Sequence, residues 1–458
     1  MAKNHHVTGS RPPLTIELVF WCFFSLIIAS PLVWIRPFSG TSIGLYHAAG
    51  FALVGSIFLT KNAIRYALLA SRENAAIFIL LAGFLMAGII WQTRVIPPFG
   101  FALIQRFAGY FVIGSAVTIA TIVFIQFRLL SRLWILPLVT AVAFIVILSI
   151  YLKLAGVDPA AQFIKAVASR NPDLFIYPLT KKVFAEGGLE DVRANMRHSI
   201  ALAFANVCLI GVMSRSMQQQ AYKPLGKVLY YSGQALCIFI VLFSFSRSTW
   251  LAGVLAVMLL SLSLPKKGAY AILVAYGAVC AFAILALSST FSGMVDLFKE
   301  RLYQSTSYNV REAYSAERWH EILKHPILGS PDLTFVREAH NVVLDYWSSL
   351  GIIGLVLSVG ICLAILIRMQ RLCMDGIGVK RDMKAFFTSS AALLALPLVR
   401  LFTSPYGQFD VGVWIALAVS CGTFAVSRKV AARSPAMLTY GRQLPNDQTV
   451  LMAKRYLT

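Results

Sequence analysis

Apolar runs of roughly 20 residues recur along almost the whole 458-residue chain, each long enough to carry an α-helix across a hydrocarbon core of roughly 30 Å. Short polar stretches, mostly basic, separate them. The runs begin near Leu18, Ile43, Ala75, Phe107, Leu133, His198, Val228, Trp250, Ala271, Val342, Phe386 and Val411, which predicts about twelve transmembrane helices. Within each run the hydrophobicity is continuous and does not alternate. Only a helix satisfies its own backbone in lipid under that pattern, so spanning strands are excluded. The predicted fold class is an all-α polytopic membrane protein. The first run follows a short basic leader and has no small-residue cleavage site, so it reads as an anchor and not as a removed signal peptide.

Composition agrees, and charge adds a direction. A chain of this length with 58% hydrophobic residues, 13% charged residues and a mean hydropathy of +0.73 cannot be a soluble globular protein. Lysine and arginine collect on one side of the spans. That side carries Lys3 and Arg11, the Lys61/Arg65/Arg72 group, Arg128/Arg132, Arg215/Lys223/Lys227 and Lys266/Lys267. It also carries Arg368/Arg371/Lys380/Arg381/Lys384 and the basic tail from Arg428. Short loops on the other side hold only isolated arginines, such as Arg36, Arg94, Arg247 and Arg400. The bias puts both termini in the cytoplasm and both long loops, about residues 154–197 and 289–341, outside. In a bacterium that means the periplasmic face of the inner membrane. The formal charge of +22 is mostly this topological signal, with anchoring to anionic membrane lipid, and needs no nucleic-acid partner. None of the seven cysteines falls in an external loop, so no structural disulfide is expected.

The chain divides by this reading into residues 1–288, nine transmembrane helices with the first long loop; residues 289–341, a periplasmic loop; residues 342–430, three further helices; and a cytoplasmic tail, 431–458. The tail is polar, with Pro435 and Pro445, and is expected to be loosely ordered. In the second loop, Phe291 to Tyr303 reads as a short amphipathic helix against the membrane. A second helix is expected from about Val310 to Lys324, ended by Pro326. On it Arg311, Ser315 and Arg318 share one face, and Ala316, Trp319 and Leu323 share another. Such a helix either docks on the membrane domain with its cations inward or presents a solvated basic face.

Candidate chemistry is sparse, which narrows it. There is no HExxH, no CxxC and no external carboxylate cluster at ligand spacing, so metal chemistry is not expected. Glu17, Asp345 and Asp410 lie near span ends, whereas ion-coupled transporters usually hold carboxylates near mid-membrane. Arg247 sits between two apolar runs with almost no loop, and no carboxylate lies within nine residues of it. It either snorkels to headgroups or faces a distant or ligand partner. Arginine suits phosphate, because its planar fork gives two parallel charge-assisted hydrogen bonds. His340, at the junction of the second loop with the span from Val342, is either a helix-cap residue or a proton acceptor with a pKa near neutrality.

His340-Asn341, nine residues, then Gly351-Ile352-Ile353-Gly354 resembles the H-N-x9-G-x-x-G signature of the O-antigen ligase and O-antigen polymerase superfamily. Ser246-Arg247-Ser248-Thr249-Trp250-Leu251 is similar to that family's S-R-x-x-W-L segment. Arg311, fifteen residues before Pro326 in His325-Pro326-Ile327-Leu328-Gly329, resembles its loop arginine. The family's tryptophan four residues after that arginine is Ser315 here, with Trp319 one turn on, which keeps Arg318 in contention. The resemblance covers mainly residues 243–354. It implies a GT-C-type glycosyltransferase acting at the periplasmic face without metal or other cofactor. The implied donor is a glycan on undecaprenyl diphosphate, and the implied acceptor is a sugar hydroxyl on lipid A–core or on a growing glycan. Implied roles are His340 as base or acceptor-orienting residue, Arg247 and Arg311 on the diphosphate with Arg318 as the substitute, and Asn341 orienting the donor or fixing the imidazole. Arg400 and Arg94, both near the external face, either join in substrate binding or serve as interface anchors. Ligase and polymerase, including exopolysaccharide polymerase, both fit. The alternative from a different class is a secondary transporter or a lipid-linked oligosaccharide flippase.

Overall fold

Every apolar run that the structure describes is helical, as backbone pairing in lipid demands. This computed structural model describes residues 12–32, 44–95, 100–154, 192–218, 223–244, 246–261, 305–330, 341–375, 381–403 and 410–441, with isolated positions between 156 and 168. In chain order the helices are α1 (Leu14–Ala29), α2 (Leu45–Phe58), α3 (Ala63–Val95), α4 (Gly100–Gln126), α5 (Leu136–Leu154), α6 (Val192–Ser216) and α7 (Pro224–Phe243). They continue with α8 (Arg247–Ser261), α9 (Ser305–Lys324), α10 (Val342–Asp375), α11 (Arg381–Leu393), α12 (Ala395–Thr403) and α13 (Val411–Gly441). Among the described residues, nine helical stretches are long and apolar enough to cross a membrane, and α2 and α8 are shorter apolar helices. The chain is a multi-pass membrane protein. The span expected from Ala271 and the amphipathic segment Phe291–Tyr303 lie outside the described residues, as does most of the first long loop.

Three boundaries differ from the sequence expectation. Helix α3 begins well before Ala75 and takes in Arg65 and Arg72, so part of that basic connection is helical. Helix α9 starts at Ser305 and not near Val310. Helix α13 runs on to Gly441, so the tail expected to be loose from Ala431 is helical that far. A helix once formed propagates cheaply, and Ala431, Ala432 and Arg433 are good helix formers.

Helices meet through small residues and polar side chains aimed at neighbouring backbones, as in lipid, where apolar surface alone gives no preference for protein over tails. Thr118 on α4 donates to the Ala418 carbonyl on α13 at 3.1 Å. Asn206 on α6 donates to the Gly412 carbonyl at 2.6 Å. Gly422 lies where a Cβ would meet Thr121 and the Thr118 carbonyl. Phe84 on α3 stacks on Tyr346 on α10, with ring centroids 4.7 Å apart. At the other end of these helices Arg368 is buried, donating to Asn74 Oδ1 and to Cys421 Sγ (2.8 Å) and lying 4.5 Å from the Phe424 ring. The paired positions run antiparallel between α3 and α10 and parallel between α4 and α13. The end of α3 and the starts of α4, α10 and α13 therefore share one end of the bundle.

Candidate active site

The start of α8 lies at that same end. Ser246 caps it: the Trp250 amide donates to the Ser246 carbonyl at 3.0 Å, and the Ser246 and Thr249 hydroxyls are 2.8 Å apart. The Trp250 indole reaches back to the Val241 carbonyl at 3.2 Å, folding α8 against α7. Arg247 is the first residue of α8 and is half-buried. Its neighbour Ser248 accepts from Arg400 Nη1 at 3.4 Å, and Arg400 Nε pairs with Asp410 at 3.2 Å. Asp410 Oδ1 in turn accepts the Gly412 amide at 3.0 Å, fixing the first turn of α13. Arg400 and Asp410 are 3% and 2% exposed. A pair this buried survives desolvation only with further hydrogen bonds of this kind. Arg400 is thus a buried strut between α12, α13 and the Arg247 turn.

Helix α9 docks on α10 through Arg318. Arg318 is 1% exposed, with Nε 3.3 Å from Asp345 and Nη1 3.3 Å from the Ser348 hydroxyl. Of the two expected arrangements, Arg318 takes the inward one, and the flank with Trp319 and Leu323 is left exposed. The reason is geometric, because the start of α10 offers a carboxylate and hydroxyls to α9. The chain after α9 then crosses the first turns of α10. Ile352 N–H donates to the Ile327 carbonyl at 3.0 Å, and Ser330 N–H donates to the Ser348 carbonyl at 2.7 Å. Trp347 Nε1 donates to the Pro326 carbonyl at 3.2 Å.

The glycines of both segments are what permit this crossing. Gly351 breaks the helix at φ +62°, ψ −145°, and a Cβ there would run into the Ile327 carbonyl. Gly329 has φ +78°, and its Cβ would lie 2.5 Å from the Ser349 carbonyl. A Cβ at Gly354 would strike the Tyr346 carbonyl. Pro326-Ile327-Leu328-Gly329 and Gly351-Ile352-Ile353-Gly354 are therefore two halves of one backbone clasp. A further tie holds it: Ser330 donates to Glu321 at 2.9 Å, and Lys324 lies 3.2 Å from the same carboxylate. The Ser330 hydroxyl, then Lys324, hold the Glu321 carboxyl below its ordinary value.

Asn341 caps α10. Its side-chain oxygen accepts Val343 N–H at 3.0 Å and its carbonyl accepts Asp345 N–H at 2.9 Å. His340, one residue earlier, lies outside the described residues. The backbones of Arg311 and Arg94 are helical, in α9 and near the end of α3, and their side chains lie outside the description. Arg247, Asn341, Arg318 and Arg400 all lie at one end of the bundle, on the starts of α8 and α10, on the helix docked there, and at the end of α12. Asp345 and Asp410 had no role assigned from sequence beyond their places near span ends. A carboxylate at a span end rarely stands alone, so pairing each with an arginine at the same end was the signal available.

Residues 233–359 match the family model described as O-antigen ligase. Over that stretch the chain is similar to the O-antigen ligase family. No curated protein matches the chain. The O-antigen ligase match runs from α7 into α10 and takes in Arg247, Arg311, Arg318, His340, Asn341 and both halves of the clasp. Arg94 and Arg400 lie outside it.

Proposed function

We propose that the protein is a GT-C-type inverting glycosyltransferase with about twelve transmembrane helices, working at the periplasmic face of the bacterial inner membrane. Its donor is a glycan on undecaprenyl diphosphate. The hydroxyl of an acceptor sugar attacks the anomeric carbon in line, the bond to the diphosphate oxygen breaks, and the lipid diphosphate leaves. His340 accepts the hydroxyl proton, and Arg247 and Arg311 offset the charge that develops on the departing diphosphate. Two arginine forks can supply electrostatics that a divalent cation supplies elsewhere. Asn341 holds the start of α10 and hence the residue preceding it. Arg318, through Asp345, and Arg400, through Ser248, act as positioning residues for the loop helix and for the Arg247 turn.

The observation that carries this reading is the O-antigen ligase match over residues 233–359. It is supported by the starts of α8 and α10, with α9 docked on α10, lying at one end of the bundle. Buried guanidinium–carboxylate pairs there give the rigidity that positioning requires. A strain lacking the protein, complemented with each variant, tests the reaction and its product together. Full-length polymer stranded on the lipid carrier identifies a ligase, whereas single-repeat products identify a polymerase. Normal glycan in the deletion strain would refute the reading, and substrate moved across liposomes with no glycosidic bond formed would point to a transporter or flippase.

A further inference from the structure

Helix α9 and the clasp leave a large apolar face uncovered. Trp319 is 47% exposed, Leu323 64%, Ile327 67% and Leu328 82%. Trp347 joins them, its ring 5.7 Å from that of Trp319 in an edge-to-face arrangement. Contiguous apolar surface of this kind in water is uncommon and marks an interaction site. Glu317, His320 and Lys324, on the other flank of the same helix, are exposed and polar, so the helix is amphipathic across its width. The Arg318 side that docks on α10 is a third side, already occupied.

What covers the apolar face follows from what it adjoins. Ile352, Ile353 and Val356 on α10 are 52%, 65% and 60% exposed, on a helix long and apolar enough to span a membrane, so their side chains face lipid. The Ile352 N–H bond to the Ile327 carbonyl places the clasp directly on that lipid-facing strip. Exposed apolar side chains therefore run from Val356, Ile353 and Ile352 on α10 to Ile327 and Leu328 in the clasp and to Leu323 and Trp319 on α9, where Trp319 meets Trp347. Paired tryptophans above an apolar strip, with a lysine beside them, are what the boundary between acyl chains and headgroups selects.

We propose that this face is a membrane-surface contact: α9 and the clasp lie on the outer boundary of the bilayer, with Leu323, Ile327 and Leu328 among the upper acyl chains and the tryptophans at headgroup level. The contact would fix the height of α9 over the membrane and hold its arginine face at the depth where a lipid-borne diphosphate sits. The contact itself rests on the multi-pass membrane fold and not on glycan transfer, so the two can fail separately.

Nitroxide labels on Leu323→Cys, Leu328→Cys and Glu317→Cys, in nanodiscs of phosphatidylethanolamine and phosphatidylglycerol, test it. These positions are exposed, so the substitutions remove no packed contact. The parent protein carried through labelling supplies the background, because the described native cysteines are buried or half-buried. Collisions with oxygen should exceed those with a water-soluble nickel chelate at 323 and 328, and the order should reverse at 317. Chelate-dominated collisions at 323 and 328 would mean a wet face and would overturn the proposal. So would protection from both reagents combined with disulfide-linked dimers through Cys at 328, which would assign the face to a second copy of the chain.

Discussion

Replacing Gly351 by alanine is the sharpest perturbation the clasp allows. At φ +62°, ψ −145° a residue with a Cβ is outside its comfortable backbone range, which costs roughly 1–3 kcal/mol. The added Cβ also collides with the Ile327 carbonyl, a backbone atom that cannot swing aside. Relieving the collision means moving the clasp away, which breaks the Ile352–Ile327 and Ser330–Ser348 hydrogen bonds. Each is worth about 1 kcal/mol net, and more if the freed groups stay buried. The sum is on the order of 4 kcal/mol against the docked loop. Gly253, in the middle of α8 with nothing near its Cβ position, is the matched control. There Gly→Ala should be neutral or stabilising by up to about 1 kcal/mol through helix propensity. Heating the purified variants and following the fraction that remains monodisperse reads both. Gly351→Ala should lose its fold at lower temperature than wild type, and Gly253→Ala should not. Equal thermal survival of Gly351→Ala and wild type would refute the clasp.

Asp345→Ala leaves Arg318 buried without its carboxylate and should cost about 3–5 kcal/mol, whereas the double change Arg318→Met/Asp345→Leu should recover much of that loss; thermal survival measures both. Arg400→Ala should lower glycan transfer while the protein stays in the membrane, because it loosens the turn that carries Arg247; unchanged transfer would make Arg400 purely structural. Arg247→Lys should also lose most transfer, since charge survives but the bidentate fork does not, and activity equal to wild type would favour simple charge anchoring. The Glu321 carboxyl is held below its ordinary value, near 4.5, so its tie to Ser330 and Lys324 is fully present above that value and fades as pH falls through the lowered one. Glu321→Gln should accordingly be less stable than wild type at neutral pH, and the gap should close in acid.

Legibility of the fold followed the strength of the local signal. Runs of apolar residues announced their helices, because the span length is set by the bilayer and by the rise per residue, both independent of tertiary contacts. Ends were less legible: α3 and α13 run on past their apolar windows, where propensity and not hydropathy decides. In α9 the period put Arg318 on a face of its own, but the side that docks depends on Asp345 and Ser348, twenty-seven and thirty residues away in sequence. The same holds for Arg400, whose surroundings at the start of α8 no local pattern could reveal. The glycines of the second motif were visible as letters; that they oppose the Pro326–Gly329 segment is a property of the folded backbone alone.

The most direct measurement gives purified protein a defined undecaprenyl-diphosphate-linked donor and an acceptor glycan, in EDTA, and follows both new glycosidic bonds and released lipid diphosphate. Wild type should produce the two in equal amounts, and His340→Ala, present at a normal level in the membrane, should produce neither. Substantial transfer by His340→Ala, or none by wild type until a divalent cation is restored, would contradict the mechanism.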